Sequence, residues 1–268
     1  MTHLGTISTL WRFPVKAMMG EQLNAARVTT AGLAGDRAYA LIDDDGRICT
    51  PKIIRKWGPI FQSRARYLEE PESSDDPPPA EITLPDGERI FTNDPGAEER
   101  LSDLVGFPAR LITEAPMPLK LESPPLGAVP ESEDGPTVDF PVPNRFFDLG
   151  SLHLLTTGTL EKLRELSPGT TFDARRFRPN FIVSTDGQTG FVENDWPGKM
   201  IAIGDDVLIK VMMPTIRCVV TTRAQDDLPN DPAVLKTAAA HNNANVGVYA
   251  MVERGGIVRR GDELSVLD

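Results

Sequence analysis

The stretch Met200–Thr222, MIAIGDDVLIKVMMPTIRCVVTT, decides the fold class. It contains three short apolar runs, at Met200–Ile203, Val207–Met212 and Ile216–Thr222. Such runs, rich in β-branched residues and broken by turn residues, read as strands. Upstream, Asn180–Ser184 has the same character, and downstream Val246–Val252, Ile257–Val258 and Glu263–Leu267 follow around Gly255-Gly256 and Gly261-Asp262. At the other end of the chain, Leu4–Phe13 reads as a first strand stopped by Pro14. Arg37–Ile42 and Arg47–Thr50 flank Asp43-Asp44-Asp45-Gly46, a hairpin signal, and Glu81–Leu84 and Glu88–Thr92 flank Pro85-Asp86-Gly87, a second one.

Helix signals are few. Asp94-Pro95 opens a helix running to about Val105, with Asp as cap and Gly106 as stop. Thr159–Leu166 is a second, ended by Ser167-Pro168-Gly169, and Asp231-Pro232 opens a third through Ala239. The chain is therefore expected to be mainly β with a few helices, of α+β class, with a β-barrel carrying helical decoration. Glu114–Arg145 holds eight prolines and no sustained periodicity. This places a Pro-rich connector at 116–145, between a β-rich N-terminal domain, 1–115, and a barrel domain, 146–268. Phe140, Phe146 and Phe147 offer anchors for the connector's end. Pro71–Ala80 reads as an acidic solvated loop.

With 268 residues and 40% apolar composition, the chain can bury a sizeable core. Its net charge of −11 makes nucleic acid and anionic membrane surfaces poor partners. No apolar run is long enough to span a bilayer and no signal peptide is legible, so a cytoplasmic location is expected. The cysteines are Cys49 and Cys218, and the histidines His3, His153 and His241. Without C-x-x-C or paired histidines, structural zinc, c-type haem and an all-cysteine iron–sulfur cluster have no ligand set.

Three constellations carry chemistry. In Met213-Pro214-Thr215-Ile216-Arg217-Cys218, a guanidinium neighbours a thiol and favours the nucleophilic, metal-binding thiolate. A buried strand cysteine is the alternative reading. In Phe13-Pro14-Val15-Lys16 and Gly32-Leu33-Ala34-Gly35-Asp36-Arg37, turns deliver Lys16 and Arg37, residue types that bind phosphate and carboxylate. Taken singly, either cation reads more often as a solvated surface charge. In Arg175-Arg176-Phe177-Arg178-Pro179-Asn180, an extended chain would put Arg176 and Arg178 on one face, with Asn180 as donor and acceptor. An ion-pair network is the competing account. Glu193 and Trp196 read as a loop whose Trp caps the core, His153 as a satisfied core histidine, and His241 as part of a polar loop, His241–Asn245.

Taken in order, these segments resemble the MOSC family, named after the C-terminal part of molybdenum cofactor sulfurase. Phe13-Pro14-Val15-Lys16, Gly32-Leu33 and Gly35-Asp36-Arg37 resemble the β-barrel-like domain that precedes MOSC domains. Arg176-Phe177-Arg178-Pro179-Asn180, Glu193 with Trp196, Arg217-Cys218 with Thr221-Thr222, Gly247-Val248-Tyr249 and Gly261-Asp262 resemble the MOSC domain itself. The resemblance implies a β-barrel that binds molybdenum cofactor, with Cys218 as the catalytic thiolate and metal ligand. It implies Lys16, Arg37, Arg176, Arg178, Asn180, Arg217 and Tyr249 as cofactor-binding residues. It also implies a molybdenum-dependent oxidoreductase, similar to the amidoxime-reducing members, that reduces small N-hydroxylated substrates with electrons from a separate flavin or iron–sulfur protein. Two other roles follow from the same family: a persulfide carrier using Cys218, in line with family links to sulfur transfer and pyridoxal phosphate binding, and a non-catalytic cofactor carrier. No motif around Lys16 supports a Schiff base. Ala17 stands where many relatives have serine. Some relatives continue into a C-terminal ferredoxin domain, whereas the pattern here ends at Asp268, so electrons are expected in trans.

Overall fold

The structure, a computed structural model, describes residues 2–114, 119–122, 137–140, 146–147 and 149–267. The chain forms two compact units, 1–11 with 22–34 and 149–268, and 12–21 with 35–148. The units are interleaved along the sequence, so the N-terminal strand belongs with the C-terminal half.

The first unit is a closed seven-stranded barrel. Its strands are β1 (Thr2–Arg12), β2 (Leu152–Thr156), β3 (Phe181–Ser184), β4 (Met200–Ile203), β5 (Val207–Ile216), β6 (Asn245–Arg254) and β7 (Glu263–Val266). They pair in the order β3-β2-β6-β5-β4-β7-β1, and β1 closes the ring by pairing β3. β1 can do both because it bends. Thr2–Thr6 pairs with β7 and Thr6–Leu10 with β3, with bulges at His3/Gly5 and Ile7/Thr9. Gly5, at φ +140, sits where any Cβ would collide with the Ser184 carbonyl, so only glycine lets the strand change partners there. Inward residues such as Leu10, Leu154, Phe181, Ile209 and Val248 are fully buried and fill the barrel. Full closure leaves the ring no edges to protect.

Two helices flank the barrel. α3 (Thr157–Leu166) is capped by Thr156, whose Oγ1 accepts from Thr159 N at 3.0 Å, and α4 spans Ala233–Asn242. Leu160 and Leu163 of α3 and Val234 and Ala238 of α4 share a core with Phe172, Phe177 and Val246. α4 runs three residues beyond the expected Ala239, so His241 lies in its last turn and not in a loop. Asn243 and Ala244 then turn through left-handed conformations (φ 49 and 60), with Ala244 N donating to the Ala238 carbonyl.

The second unit holds a five-stranded sheet in the order Ala109–Ile112, Ala40–Asp43, Arg47–Ile48, Leu119–Glu122, Thr137–Phe140, and a three-stranded sheet of Arg64–Tyr67, Ala80–Thr83 and Arg89–Phe91. Both expected hairpins are present. α1 (Ile54–Phe61) and α2 (Ala97–Val105) complete the unit. α2 ends at Gly106 in the left-handed conformation, as expected, but Gly96 is its N-cap. Asp94 is used earlier, where its Oδ2 accepts from Phe91 N at 2.7 Å. The expected connector is partly sheet: Leu119–Glu122 and Thr137–Phe140 pair antiparallel, while the rest of 116–145 lies outside the described residues. Phe146 anchors its end, buried with Ala40, Ile42 and Ile48.

Candidate functional site

Cys218 is exposed, which removes the reading of a buried strand cysteine, while Cys49 is buried in the second unit. β5 ends at Ile216, not at Thr222. Cys218 is extended (φ −121, ψ −177) and Val219–Thr222 forms a short 3-10 turn behind it. The Cys218 carbonyl accepts from Thr221 N at 3.2 Å and from Thr221 Oγ1 at 3.0 Å, so the turn is tied to the cysteine's own peptide. Burial alternates through Thr215, Ile216, Arg217 and Cys218, which puts Ile216 and Cys218 on the outer, solvent-facing side. Ile216 is 62% exposed there.

Arg217 points away from its neighbouring thiol. Its backbone N–H donates to the Ala244 carbonyl at 2.8 Å. Its Nε donates to the Val246 carbonyl at 2.9 Å and its Nη1 to the Phe177 carbonyl at 3.1 Å. Its Nη2 donates to the Val246 carbonyl and to His153 Nε2. The guanidinium also lies over the Phe177 ring, 5.6 Å from the centroid.

Arg176 and Arg178 do not share an extended face. Ala174–Arg176 is a 3-10 turn capped by Asp173, and Arg178 is left-handed at φ 53. Arg176 is buried and donates to the carbonyls of Thr171 (3.1 Å), Thr221 (3.4 Å), Arg223 (3.3 Å) and Pro229 (2.8 Å). Burial pulls its guanidinium below the ordinary arginine value. Arg175 is the ion-pair member, bound to Asp173, Asp226 and Asp227. Arg178 is half-buried at the surface. Asn180 is buried, and its amide bridges backbone: Oδ1 accepts from His153 N at 3.0 Å and Nδ2 donates to the Trp11 carbonyl at 3.4 Å. Tyr249 is half-buried on β6, paired with Met213 and His153, its ring 5.8 Å from the imidazole. Arg176 is thus tied to the loop after Cys218, Arg217 to Phe177 and β6, and Asn180 to β1 and β2.

Lys16 and Arg37 lie in the second unit, on adjacent segments that run in parallel. Arg37 N donates to the Phe13 carbonyl (2.7 Å), Tyr39 N to the Pro14 carbonyl (3.0 Å) and Lys16 N to the Tyr39 carbonyl (2.8 Å). Buried Asp36 pins the pair, accepting from Phe13 N at 2.7 Å and pairing with the Arg37 guanidinium. Arg37 stacks over Phe13, 4.9 Å from the ring centroid, and Lys16 Nζ donates to the Phe146 carbonyl at 2.9 Å. Arg37 (φ 49) and Ala17 (φ 74) are both left-handed. No group of three or more His, Cys, Asp or Glu side chains suited to hold a metal occurs among the described residues.

Residues singled out less strongly in the sequence also take part. His153 is the imidazole under Arg217. Glu193 is fully buried and its Oε2 accepts from Thr156 Oγ1 (2.5 Å) and Thr159 Oγ1 (2.7 Å), locking the start of α3 to the 3-10 turn Val192–Asp195. Burial pushes its carboxyl up, and the two threonine hydroxyls pull it part of the way back.

Residues 145–265 match the MOSC domain, and residues 4–56 match the MOSC N-terminal beta barrel domain. The chain carries a MOSC domain and a MOSC N-terminal beta barrel domain. The N-terminal match supplies strands to both units. The chain is 24% identical over 293 residues to mitochondrial amidoxime reducing component 2 from Homo sapiens, covering 98% of this chain and 83% of the relative. The figures are the same for the protein of that name from Macaca fascicularis. Among solved structures, the YUAD protein from Bacillus subtilis aligns over 98% of this chain and 94% of its own at 13% identity, with a TM-score of 0.48. YiiM from Geobacillus stearothermophilus aligns over 44% of this chain and 55% of its own at 17% identity, with a TM-score of 0.33. No helix among the described residues is long and apolar enough to cross a membrane.

Proposed function

We propose that this MOSC-domain protein binds molybdenum cofactor, with the Cys218 thiolate as a ligand of the metal, and reduces small N-hydroxylated compounds. The observation that carries the reading is the exposed Cys218 beside a neighbour whose guanidinium is fixed on protein acceptors. A cysteine presented this way on a fixed extended backbone is a donor for a soft, thiophilic metal. The positive-φ residues support the reading independently. Arg37 and Arg178, two of the expected cofactor contacts, and Ala17, next to a third, adopt conformations that side chains rarely take. Strain of this kind concentrates where a site requires it.

Arg178, half-buried at the surface of the first unit, is proposed to bind the anionic cofactor, and Lys16 and Arg37 are proposed as anion-binding residues of the second unit. Arg176, Arg217 and Asn180 act from behind, fixing the backbone that presents Cys218. Tyr249 is assigned to the same outer face, where its ring can border the pterin. When bound, the cofactor supplies two-electron oxygen-atom chemistry, so that an N–OH group, two electrons and two protons yield N–H and water. The electrons come from a separate flavin or iron–sulfur protein. The exposed apolar side chains Ile216 and Met213 on the outer face suit the carbon body of such a substrate.

The test is molybdenum analysis of wild-type and Cys218→Ala protein made in a host that synthesises the cofactor. Near-stoichiometric metal in the wild type, lost or electronically altered in the variant, supports the reading. Turnover of N-hydroxylated compounds with an added donor protein then completes it. Metal-free, well-folded wild type with a persulfide on Cys218 by mass spectrometry would replace it with sulfur transfer. Bound cofactor without turnover would make the protein a carrier.

A further inference from the structure

We infer that His153 is a positioning residue for Cys218, acting through Arg217. The inference rests on the reading that Cys218 is the functional thiol. Arg217 is a donor-only side chain; its Nη2 meets both ring nitrogens of His153, Nε2 closely and Nδ1 at 3.4 Å, and Nε2 also lies 3.3 Å from the Val246 carbonyl, which itself accepts from Arg217. The imidazole is thus the side-chain member of a three-point clamp whose other members are the carbonyls of Val246 and Phe177. Arg217 immediately precedes Cys218. Fixing both its N–H, on Ala244, and its guanidinium sets the peptide from which the thiol leaves the barrel.

The imidazole itself is held more firmly than packing alone requires. Asn180 brackets its backbone, its N–H donating to the His153 carbonyl at 2.8 Å while its Oδ1 accepts from His153 N at 3.0 Å. Gly247, at φ +86, lies where a Cβ would collide with His153 Nε2, so β6 leaves a slot for the ring. Tyr249 borders the ring from the same strand. An apolar side chain at 153 would fill the slot but leave Nη2 without its imidazole acceptor. The guanidinium would then be held by the Val246 and Phe177 carbonyls alone, and the peptide that presents Cys218 would lose one of its fixed points.

The experiment uses the full chain made without the cofactor, so that the thiol is accessible. It compares wild type with His153→Leu, His153→Asn and His153→Gln. The rate of Cys218 alkylation by iodoacetamide is read at its peptide by mass spectrometry, with Tm recorded for each protein. Glutamine can place an acceptor near the Nε2 position, and asparagine near Nδ1, which lies 3.4 Å from Nη2. Expected is an alkylation rate raised about tenfold in the Leu variant, as loss of one hydrogen bond to a charged group would loosen the peptide that presents the thiol. His153→Gln returns to within about twofold of wild type, as a restored hydrogen bond should, and His153→Asn falls between Leu and Gln. An unchanged or slower rate in a folded Leu variant overturns the inference. So does a Gln variant that matches Leu, since the ring would then act by shape alone. Because the readout needs no metal, it stands apart from the molybdenum analysis: the clamp can fail while the cofactor binds, and the reverse.

Discussion

Arg176 Nη2 donates to the Pro229 carbonyl at 2.8 Å, joining the turn Ala174–Arg176 to the loop that follows Cys218. The same guanidinium reaches the carbonyls of Thr221 and Arg223, so one buried side chain gathers the returning loop from both ends. Replacing it with leucine would strand several buried acceptors, each costing about 1–3 kcal/mol before relaxation. We expect Arg176→Leu to lower stability by about 3 kcal/mol, roughly 6–12 °C in Tm for a unit of this size. Arg176→Lys, which keeps charge but loses the fork, should recover only part of this. Thermal melts of protein made without cofactor decide it. A loss that appears only with cofactor present would show Arg176 to be a ligand contact instead.

Much of this frame was legible in sequence, and the exceptions share a cause. Strand runs such as Val246–Val252 and the hairpin around Asp43–Gly46 announce themselves through local alternation and turn chemistry. The membership of β1 in the C-terminal barrel does not, because it depends on pairing across more than 170 residues at Thr6–Ser184. α1, which is not among the expected helices, holds Gly58-Pro59 within it. Burial of Trp57, Ile60 and Phe61 outweighs the local cost. At the site, residue types alone brought out Cys218 and the arginines, but not where the guanidiniums point. Arg217 and Arg176 turn onto backbone carbonyls supplied by distant segments, and no spacing rule encodes that. His153 looked like a core residue because its strand is apolar. Its partner lies 64 positions away.

Asn180 gives a sharp distinction between holding the barrel and holding a ligand. Its amide bridges His153 N and the Trp11 carbonyl inside the protein. Asn180→Leu leaves both groups buried without that partner, so a loss of about 1–3 kcal/mol is expected even with no cofactor bound. Chemical denaturation of metal-free protein measures it. A variant as stable as wild type, but poor in molybdenum, would return Asn180 to the ligand shell.

Glu193 predicts a pH dependence of stability. Its carboxyl is raised in the folded state by burial, so the folded protein holds this proton to a higher pH than the unfolded chain does. The contribution is fully present below the unfolded carboxyl value and is lost as pH rises through the raised folded value. Glu193→Gln keeps an acceptor for the Thr156 and Thr159 hydroxyls but cannot ionise. The variant should therefore melt higher than wild type at pH 8, with the difference shrinking toward pH 4. A Tm difference that is constant across that range would show that Glu193 does not titrate as its burial implies.

Ile216 tests whether the outer face beside Cys218 meets the substrate. It is 62% exposed, two residues before the thiol on the same side, and it contributes nothing to the barrel core. Ile216→Ser should leave Tm within about 2 °C, as for a surface change of under 0.5 kcal/mol. If an aryl or alkyl N-hydroxylated substrate lies against it, losing that apolar contact should raise KM by roughly fivefold, equivalent to about 1 kcal/mol of burial. Because such contact is made equally in the bound substrate and in the transition state, kcat should stay near wild type. A compact substrate with no apolar body is the internal control and should be unaffected. A fall in kcat shared by both substrates would instead mean that Ile216 helps set the direction of Cys218, and that the substrate approaches from another side.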